Sequence, residues 1–260
     1  MTNTTNTTNT TNTTDSEYII GRNPVLEALK SERDINKILV AEGSQKGSMQ
    51  QIIQRAKDSG VLVQFVPKKK IEQMVEGNHQ GVLAQVAAYQ YADIEDLFEL
   101  AAKRDEMPFF LILDEIEDPH NLGSIMRTAD AIGAHGIIIP KRRAVGLTAT
   151  VAKASTGAIE HIPVVKVTNL ARTIDELKQR NIWIVGTDAK GTQDYRDLDT
   201  NMPVGLVIGS EGKGMNRLIK DKCDFLVHLP MVGKVTSLNA SVAASLLMYE
   251  VYRKRHPLGK

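Results

Sequence analysis

The stretch LVHLPMVGKVTSLNASVAASLL, residues 226–247, carries three local structures in a row. An apolar run of strand length ends at Pro230, a loop of small and polar residues follows, and an Ala-, Ser- and Leu-rich segment reads as a helix. Ser237, Asn239 and Ser241 put polar side chains beside the unpaired backbone N–H groups of that helix's first turn. Its small residues let a neighbouring segment come close. Such a helix suits the border of a ligand site. A capped core helix has the same pattern, so the surrounding sequence has to decide.

Upstream, strands and helices alternate. Pro108 to Asp114 is a continuous apolar run, as in a buried parallel strand; a polar loop, a helix starting near Asn121, Gly133 and a second strand at Gly136–Pro140 complete a βαβ unit. The pattern predicts further helices over 149–154, 170–180, 216–220 and 241–254. It predicts strands at 162–167, 182–187, 204–209 and 225–229. The result is a mostly parallel, doubly wound α/β sheet, whose ligands bind beyond the carboxyl ends of the strands. Asn121, Thr187, Gly209 and Met231 all follow such ends.

Residues 17–90 read as a smaller α/β unit in the order α, β, α, β, α, β, with Asn23 as N-cap and Pro24 at the first helical position of its first helix. Two of its loops are too polar for scaffolding alone, Gly21-Arg22-Asn23 and Gly77-Asn78-His79-Gln80-Gly81. With Lys68, Lys69 and Lys70 they outline a basic face for RNA, although a lysine triplet also fits a solvated helix start. Residues 91–105 are charged and helical and read as a linker packed loosely between this unit and a larger one over 106–257. Residues 1–16, a Thr/Asn repeat, read as a disordered tail.

A chain of 260 residues with 42% hydrophobic residues supports one large or two modest domains. A net charge of +1 confines any nucleic-acid surface to a local patch. One cysteine, Cys223, allows no internal disulfide and points to a reducing, cytoplasmic compartment. The histidines are scattered, without metal-ligand spacing, so no metal is expected. No apolar run has the length of a membrane span.

The loop Gly209-Ser210-Glu211-Gly212-Lys213-Gly214 is neither a P-loop nor a Gly-x-Gly-x-x-Gly turn. Its glycines would admit a flat ligand against the backbone, and a plain turn would look the same. Arg127 follows Asn121 by about two helical turns; it could hold a phosphate bidentately or lie idle on the surface.

Taken in order, Asn121 to Thr128, Gly209 to Gly214 and Leu229 to Ser241 resemble the three motifs of the SpoU/TrmH branch of the SPOUT methyltransferases. The first unit resembles the L30e-like RNA-binding module of the bacterial 23S rRNA guanosine-2′-O-methyltransferases. The resemblance spans the chain after the tail. It implies a SPOUT α/β knot, in which the last loops and helix form a deep trefoil knot around S-adenosyl-L-methionine. It also implies a homodimer with its site near the interface, and methylation of a ribose 2′-hydroxyl, here of a guanosine in the peptidyl-transferase loop of 23S rRNA.

By that similarity, Gly186, Thr187, Gly209, Leu229 and Leu238 border the cofactor. Arg127 acts on the hydroxyl, oriented with the ribose by Asn121, Glu211, Ser237 and Asn239. Arg22, Asn23, His79 and Gln80 meet the RNA. An arginine stays protonated and makes a poor base, so Arg127 is expected to hold a phosphate and steady the emerging alkoxide. The competing readings are a tRNA ribose methyltransferase and an RNA-binding protein with an inactive methyltransferase fold. The presence of Arg127, Glu211, Ser237 and Asn239 counts against the last.

Overall fold

The computed structural model describes residues 18–30, 34–44, 47–87, 89–235 and 237–259. The tail expected over residues 1–16 lies outside the described residues.

The smaller unit contains β1 (Tyr18–Ile20), α1 (Arg22–Ala28), β2 (Ile35–Ala41), α2 (Ser48–Asp58), β3 (Val63–Val66), α3 (Lys68–Met74) and β4 (Val82–Val86). Its sheet has the order β1-β4-β2-β3, antiparallel except for the β2–β3 pair. Alternation along β2 sends Ile38 and Val40 to one face, against Val25, Met49 and Ile52 of α1 and α2. Leu39 and Ala41 go to the other, against Ile71 of α3. The expected order omitted β1, whose three residues are too few to show a period. The expected cap is also corrected. Gly21, at φ 91°, turns the chain out of β1 and occupies the N-cap, which leaves Asn23 and Pro24 inside the first turn.

The expected linker is not loose. α4 (Ile94–Lys103) opens with a capping box between Asp93 and Asp96 and buries Leu97 and Ala101, one turn apart, on the larger sheet. Leu97 belongs to the same apolar cluster as Phe110, Ile112 and Ile138, and it packs so close to β6 (Gly136–Pro140) that a side chain at Gly136 would sit 2.4 Å from its Cγ. The outward charges, Glu95 among them, pair with neighbours such as Arg180 and gave the segment its solvated look.

The larger unit continues with β5 (Phe109–Leu113), α5 (Pro119–Ala131), α6 (Ala149–Ser155) after β6, β7 (Val164–Val167), α7 (Leu170–Gln179), β8 (Trp183–Thr187), β9 (Gln193–Asp194), β10 (Val204–Ile208), α8 (Arg217–Lys222), β11 (Phe225–His228) and α9 (Ala240–Arg255). The seven-stranded sheet has the order β7-β6-β5-β10-β8-β11-β9. Every adjacent pair in it is parallel. One apolar cluster packs α5, α6 and α9 on one face, and another packs α4, α7 and α8 on the other. The chain winds outward from β5 to β7, then returns beyond β10. The crevice beside β5 and β10 is therefore the switch point where ligands bind.

Candidate cofactor site

Four segments meet beyond the carboxyl ends of β8, β10 and β11. They enclose a cleft of about 660 Å³, within the usual size range of small-molecule sites. Thr187 and Asp188 line it from β8, the loop Gly209–Gly214 from β10, Leu229 and Met231 from β11, and Ser237, Leu238, Ala243 and Leu247 from the start of α9. Apolar side chains form one wall and backbone-rich loop the other, which suits a ligand with a flat heterocycle and a polar tail.

The glycine loop is held shut by its own backbone. Ser210 N donates to Gly214 O at 3.1 Å and Gly214 N to Ser210 O at 2.9 Å. A Cβ on Gly209 would lie 2.3 Å from Gly214 C and Met215 N. This glycine is needed for the loop to double back on itself, and it also lines the cleft. Beyond the loop, Asn216 N donates to Asp114 Oδ2 at 2.6 Å. Burial pushes the Asp114 carboxyl up, and this bond pulls it back only in part.

Below the cleft, three expected site residues join. Glu211 Oε1 accepts from Asn121 Nδ2 at 3.0 Å, from Ala240 N at 3.2 Å and from Asn239 Nδ2. Asn239 is the N-cap of α9, its Oδ1 accepting from Ser241 N at 3.0 Å and Val242 N at 3.3 Å. Asn121 lies in the first turn of α5 and not at its start. Asp118 caps that helix and Pro119 occupies its first turn, a signal present in the sequence two residues ahead of the expected boundary. The cluster thus pins the beginnings of α5 and α9 to the glycine loop.

Two expectations are met differently. Arg127 is exposed, lies outside the cleft lining, and makes no hydrogen bond or ion pair among the described residues. Six residues beyond Asn121, it projects from another face of α5. Asn121, Glu211 and Asn239 therefore bind one another and do not orient it. Gly186 does not line the cleft either. The space its side chain would need is taken by Cys223 Sγ at 2.6 Å and Met215 Cε at 2.8 Å, so it is a packing glycine beneath Thr187.

Asp188 is a cleft residue that the sequence reading missed. Burial pushes its carboxyl up, but Lys220 at 2.7 Å and the Lys190 N–H outweigh that and hold it below the usual carboxylate range. Its position one residue past Thr187, at a strand end, was the available signal.

In the smaller unit the two polar loops do converge. Arg22 N donates to Gln80 Oε1 at 3.0 Å and Arg22 Nε to Gln80 O at 3.3 Å, while Asn23 stays exposed. His79 is the exception. It is 6% exposed, and its Nδ1 accepts from Gly81 N at 3.1 Å, so it shapes the loop from within.

A cleft beyond the carboxyl ends of β8, β10 and β11, one strand from the switch point of a doubly wound sheet, with a glycine loop on one side and a capped helix on the other, defines a ligand-binding α/β domain. Residues 108–249 match the SpoU rRNA methylase family, and residues 18–92 match the RNA 2′-O ribose methyltransferase substrate-binding family. The TrmH family tRNA/rRNA methyltransferase YacO of Bacillus subtilis is 68% identical over 94% of this chain and 98% of its own. Among solved structures, the SpoU methyltransferase AviRb of Streptomyces viridochromogenes, in complex with S-adenosylmethionine, is 26% identical over 92% of this chain and 90% of its own, with a TM-score of 0.59. The S-adenosylmethionine-bound rRNA methyltransferase of Sinorhizobium meliloti is 28% identical over 93% and 88%, with a TM-score of 0.56. The TrmH/SpoU tRNA modifying enzyme of A. aeolicus is 28% identical over 62% and 83%, with a TM-score of 0.53. The chain belongs to the SpoU/TrmH family of RNA 2′-O-ribose methyltransferases.

Proposed function

We propose that this protein, as a cytoplasmic homodimer, methylates the ribose 2′-hydroxyl of a guanosine in the peptidyl-transferase loop of 23S rRNA, with S-adenosylmethionine as donor. The observation that carries the reading is the cleft between Gly209–Gly214, Leu229 and Leu238, closed below by Asn121, Glu211 and Asn239, in a chain of this family. The size and mixed lining of the cleft fit the cofactor, and we infer that the family's trefoil knot forms at these loops.

The choice of rRNA rests on extent. The rRNA methyltransferase neighbour matches 93% of the chain, both units together, whereas the tRNA modifying enzyme matches 62%. A dimer is supported by α9, where Val242, Leu246 and Tyr249 are exposed at helical spacing beside Ala243 and Leu247 of the cleft. Among the described residues no helix is long and apolar enough to cross a membrane.

The cofactor supplies an electrophilic sulfonium methyl. The protein's part is to align the ribose oxygen with that methyl group and to let the hydroxyl proton pass to solvent. Thr187, Leu229 and Leu238 shape the binding cleft, and Asn121, Glu211 and Asn239 keep its walls in register. A guanidinium donates hydrogen bonds and does not accept them, and Arg127 lies outside the cleft of its own chain, so in the homodimer it holds the RNA phosphate and steadies the alkoxide at the cleft of the partner subunit. Arg22, Asn23 and Gln80 meet the RNA from the smaller unit.

The test is a map of 2′-O-methyl groups in total RNA from a strain lacking this gene. Loss of one methyl group in the 23S peptidyl-transferase loop is expected. Loss from tRNA, with 23S rRNA unchanged, would overturn the rRNA assignment.

A further inference from the structure

The two units meet through polar groups. Among the described residues, no apolar cluster of the smaller unit extends past Val86, and none of the larger unit begins before Tyr89. A cavity of about 360 Å³, bordered by Asp34, Gly60, Lys141 and Lys166, lies between them. Interfaces of this kind leave domains free to move unless specific contacts hold them.

Lys141 Nζ donates to Gly60 O at 3.3 Å, and a denser set of such contacts gathers around Asn36, Tyr91 and Lys166. Asn36, at the amino end of β2, is 8% exposed. Its Oδ1 accepts from Tyr91 OH at 2.5 Å and from Lys166 Nζ at 3.0 Å, and its Nδ2 donates to Leu147 O at 3.5 Å. Tyr91 OH accepts in turn from Leu147 N at 2.9 Å, and Tyr91 N donates to Asp34 Oδ2 at 3.0 Å. Lys166 Nζ also donates to Asn36 O at 3.3 Å and lies 4.7 Å from the centroid of the Tyr91 ring. A Cβ on Gly146 would come within 2.3 Å of Asn36 Oδ1, so the larger unit has left room for this one side chain.

The loops of the smaller unit that hold Arg22 and Gln80 sit at the other end of β2, where Ala41 N bonds Gly81 O at 2.8 Å. Five residues of strand separate Asn36 from Ala41, about 17 Å at roughly 3.3 Å per residue. A small rotation at Asn36 therefore sweeps these loops through several ångströms.

We propose that Asn36, Tyr91 and Lys166 are positioning residues, a latch that fixes the pose of the smaller unit and so selects which 2′-hydroxyl of a structured RNA reaches the catalytic cleft. The proposal rests on the methyltransferase reading for its RNA arm only. Directional polar contacts, unlike apolar area, are satisfied in a single relative orientation, so they set a pose as well as an affinity.

The test compares Tyr91→Phe, Asn36→Leu and Asn36→Asp with the parent, all in a Cys223→Ala background carrying spin labels at Lys69→Cys and Arg172→Cys. In the parent a single narrow distance distribution between the labels is expected. Tyr91→Phe and Asn36→Leu, which remove two and four side-chain hydrogen bonds, should broaden it and raise KM for a 23S rRNA fragment at least about tenfold. The affinity for S-adenosylmethionine should stay unchanged. Asn36→Asp, which keeps the acceptors for Tyr91 and Lys166, should restore the narrow distribution. A role in folding alone would lower cofactor affinity and melting temperature together and leave the distribution narrow, which would overturn the proposal, as would parental distances in all three variants. The distance measurement needs no RNA, so an error in the rRNA assignment would show in the methylation map and leave this result decisive.

Discussion

Asn239 Nδ2 donates to Asn121 Oδ1 at 2.9 Å, joining residues 118 positions apart, the N-cap of α9 and the first turn of α5. Both amides also donate to the same oxygen of Glu211. A carboxylate there meets the exposed N–H groups of the α9 terminus, where negative charge is favoured. The last helix is thereby fixed at the point where its first turn borders the cleft.

Glu211→Ala should lower S-adenosylmethionine affinity at least about tenfold, because a charged acceptor shared by three donors is worth about 1.5–3 kcal/mol per bond at most and its loss leaves those donors to water. Glu211→Gln keeps one acceptor oxygen and should fall between. Calorimetric titration with the cofactor reads both; parental affinity in Glu211→Ala would show that the α9 start holds without the cluster.

Gly209→Ala should open the glycine loop, since the new methyl group would overlap the Gly214–Met215 backbone at 2.3 Å. Gly212→Ala, at φ 75° with open space around it, serves as the control for strain alone, at about 1–2 kcal/mol. The melting temperature and cofactor affinity should both fall further in Gly209→Ala. Equal losses in the two variants would mean that the loop tolerates opening at Gly209.

The exposed position of Arg127 separates turnover from cofactor binding. Arg127→Ala should cut methyl transfer to an rRNA fragment by about 10²–10³, as for loss of one charged group acting in the transition state. Cofactor affinity should stay within experimental error. Arg127→Lys should recover little, lacking the planar fork. Tritiated methyl transfer at saturating cofactor, beside a direct titration, is the assay; undiminished turnover in Arg127→Ala would remove it from the mechanism.

Burial brings the Lys166 ammonium down to about 8, with Lys141 and Lys37 adding to the effect and Asp34 opposing it. Because folding lowers this pKa from 10.5, its cost to stability is fully present below about 8. The cost lifts as pH rises from there toward 10.5, while the unfolded chain still holds its proton. The stability of the parent relative to Lys166→Met should therefore rise over that interval in thermal melts. A difference independent of pH would show that Lys166 does not titrate there.

Strands with continuous apolar runs, such as Phe109–Leu113 and Val204–Ile208, were legible because both of their faces are buried. The polar start of the last helix was legible as well, although Asn239 was not singled out there as its N-cap. Pairing was less legible: β1 and β9 are too short to show a period and exist through their neighbours β4 and β11. α4 was misread because two inward residues decide its packing while its charges dominate the composition. The mutual bonding of Asn121, Glu211 and Asn239 could not be read from spacing, since it depends on how three distant segments meet. His79 and Gly186 were assigned to binding for their loop and strand-end positions, whereas burial gave them packing roles.

The strand order also governs the order of assembly during synthesis. β5, β6 and β7 pair in the sequence in which they are made, but β8 has no partner until β10 has left the ribosome. An unpaired apolar strand is an invitation to aggregation while it waits. α9 comes last of all, covering α5 with Ala244, Leu247 and Met248 and anchoring its end through Arg255 to the carbonyls of Met107 and Met202 at 2.8 and 2.7 Å. A chain released before residue 240 would leave part of the apolar face of α5 uncovered and the cleft without the side that α9 supplies, ready for the cell's proteases rather than for RNA.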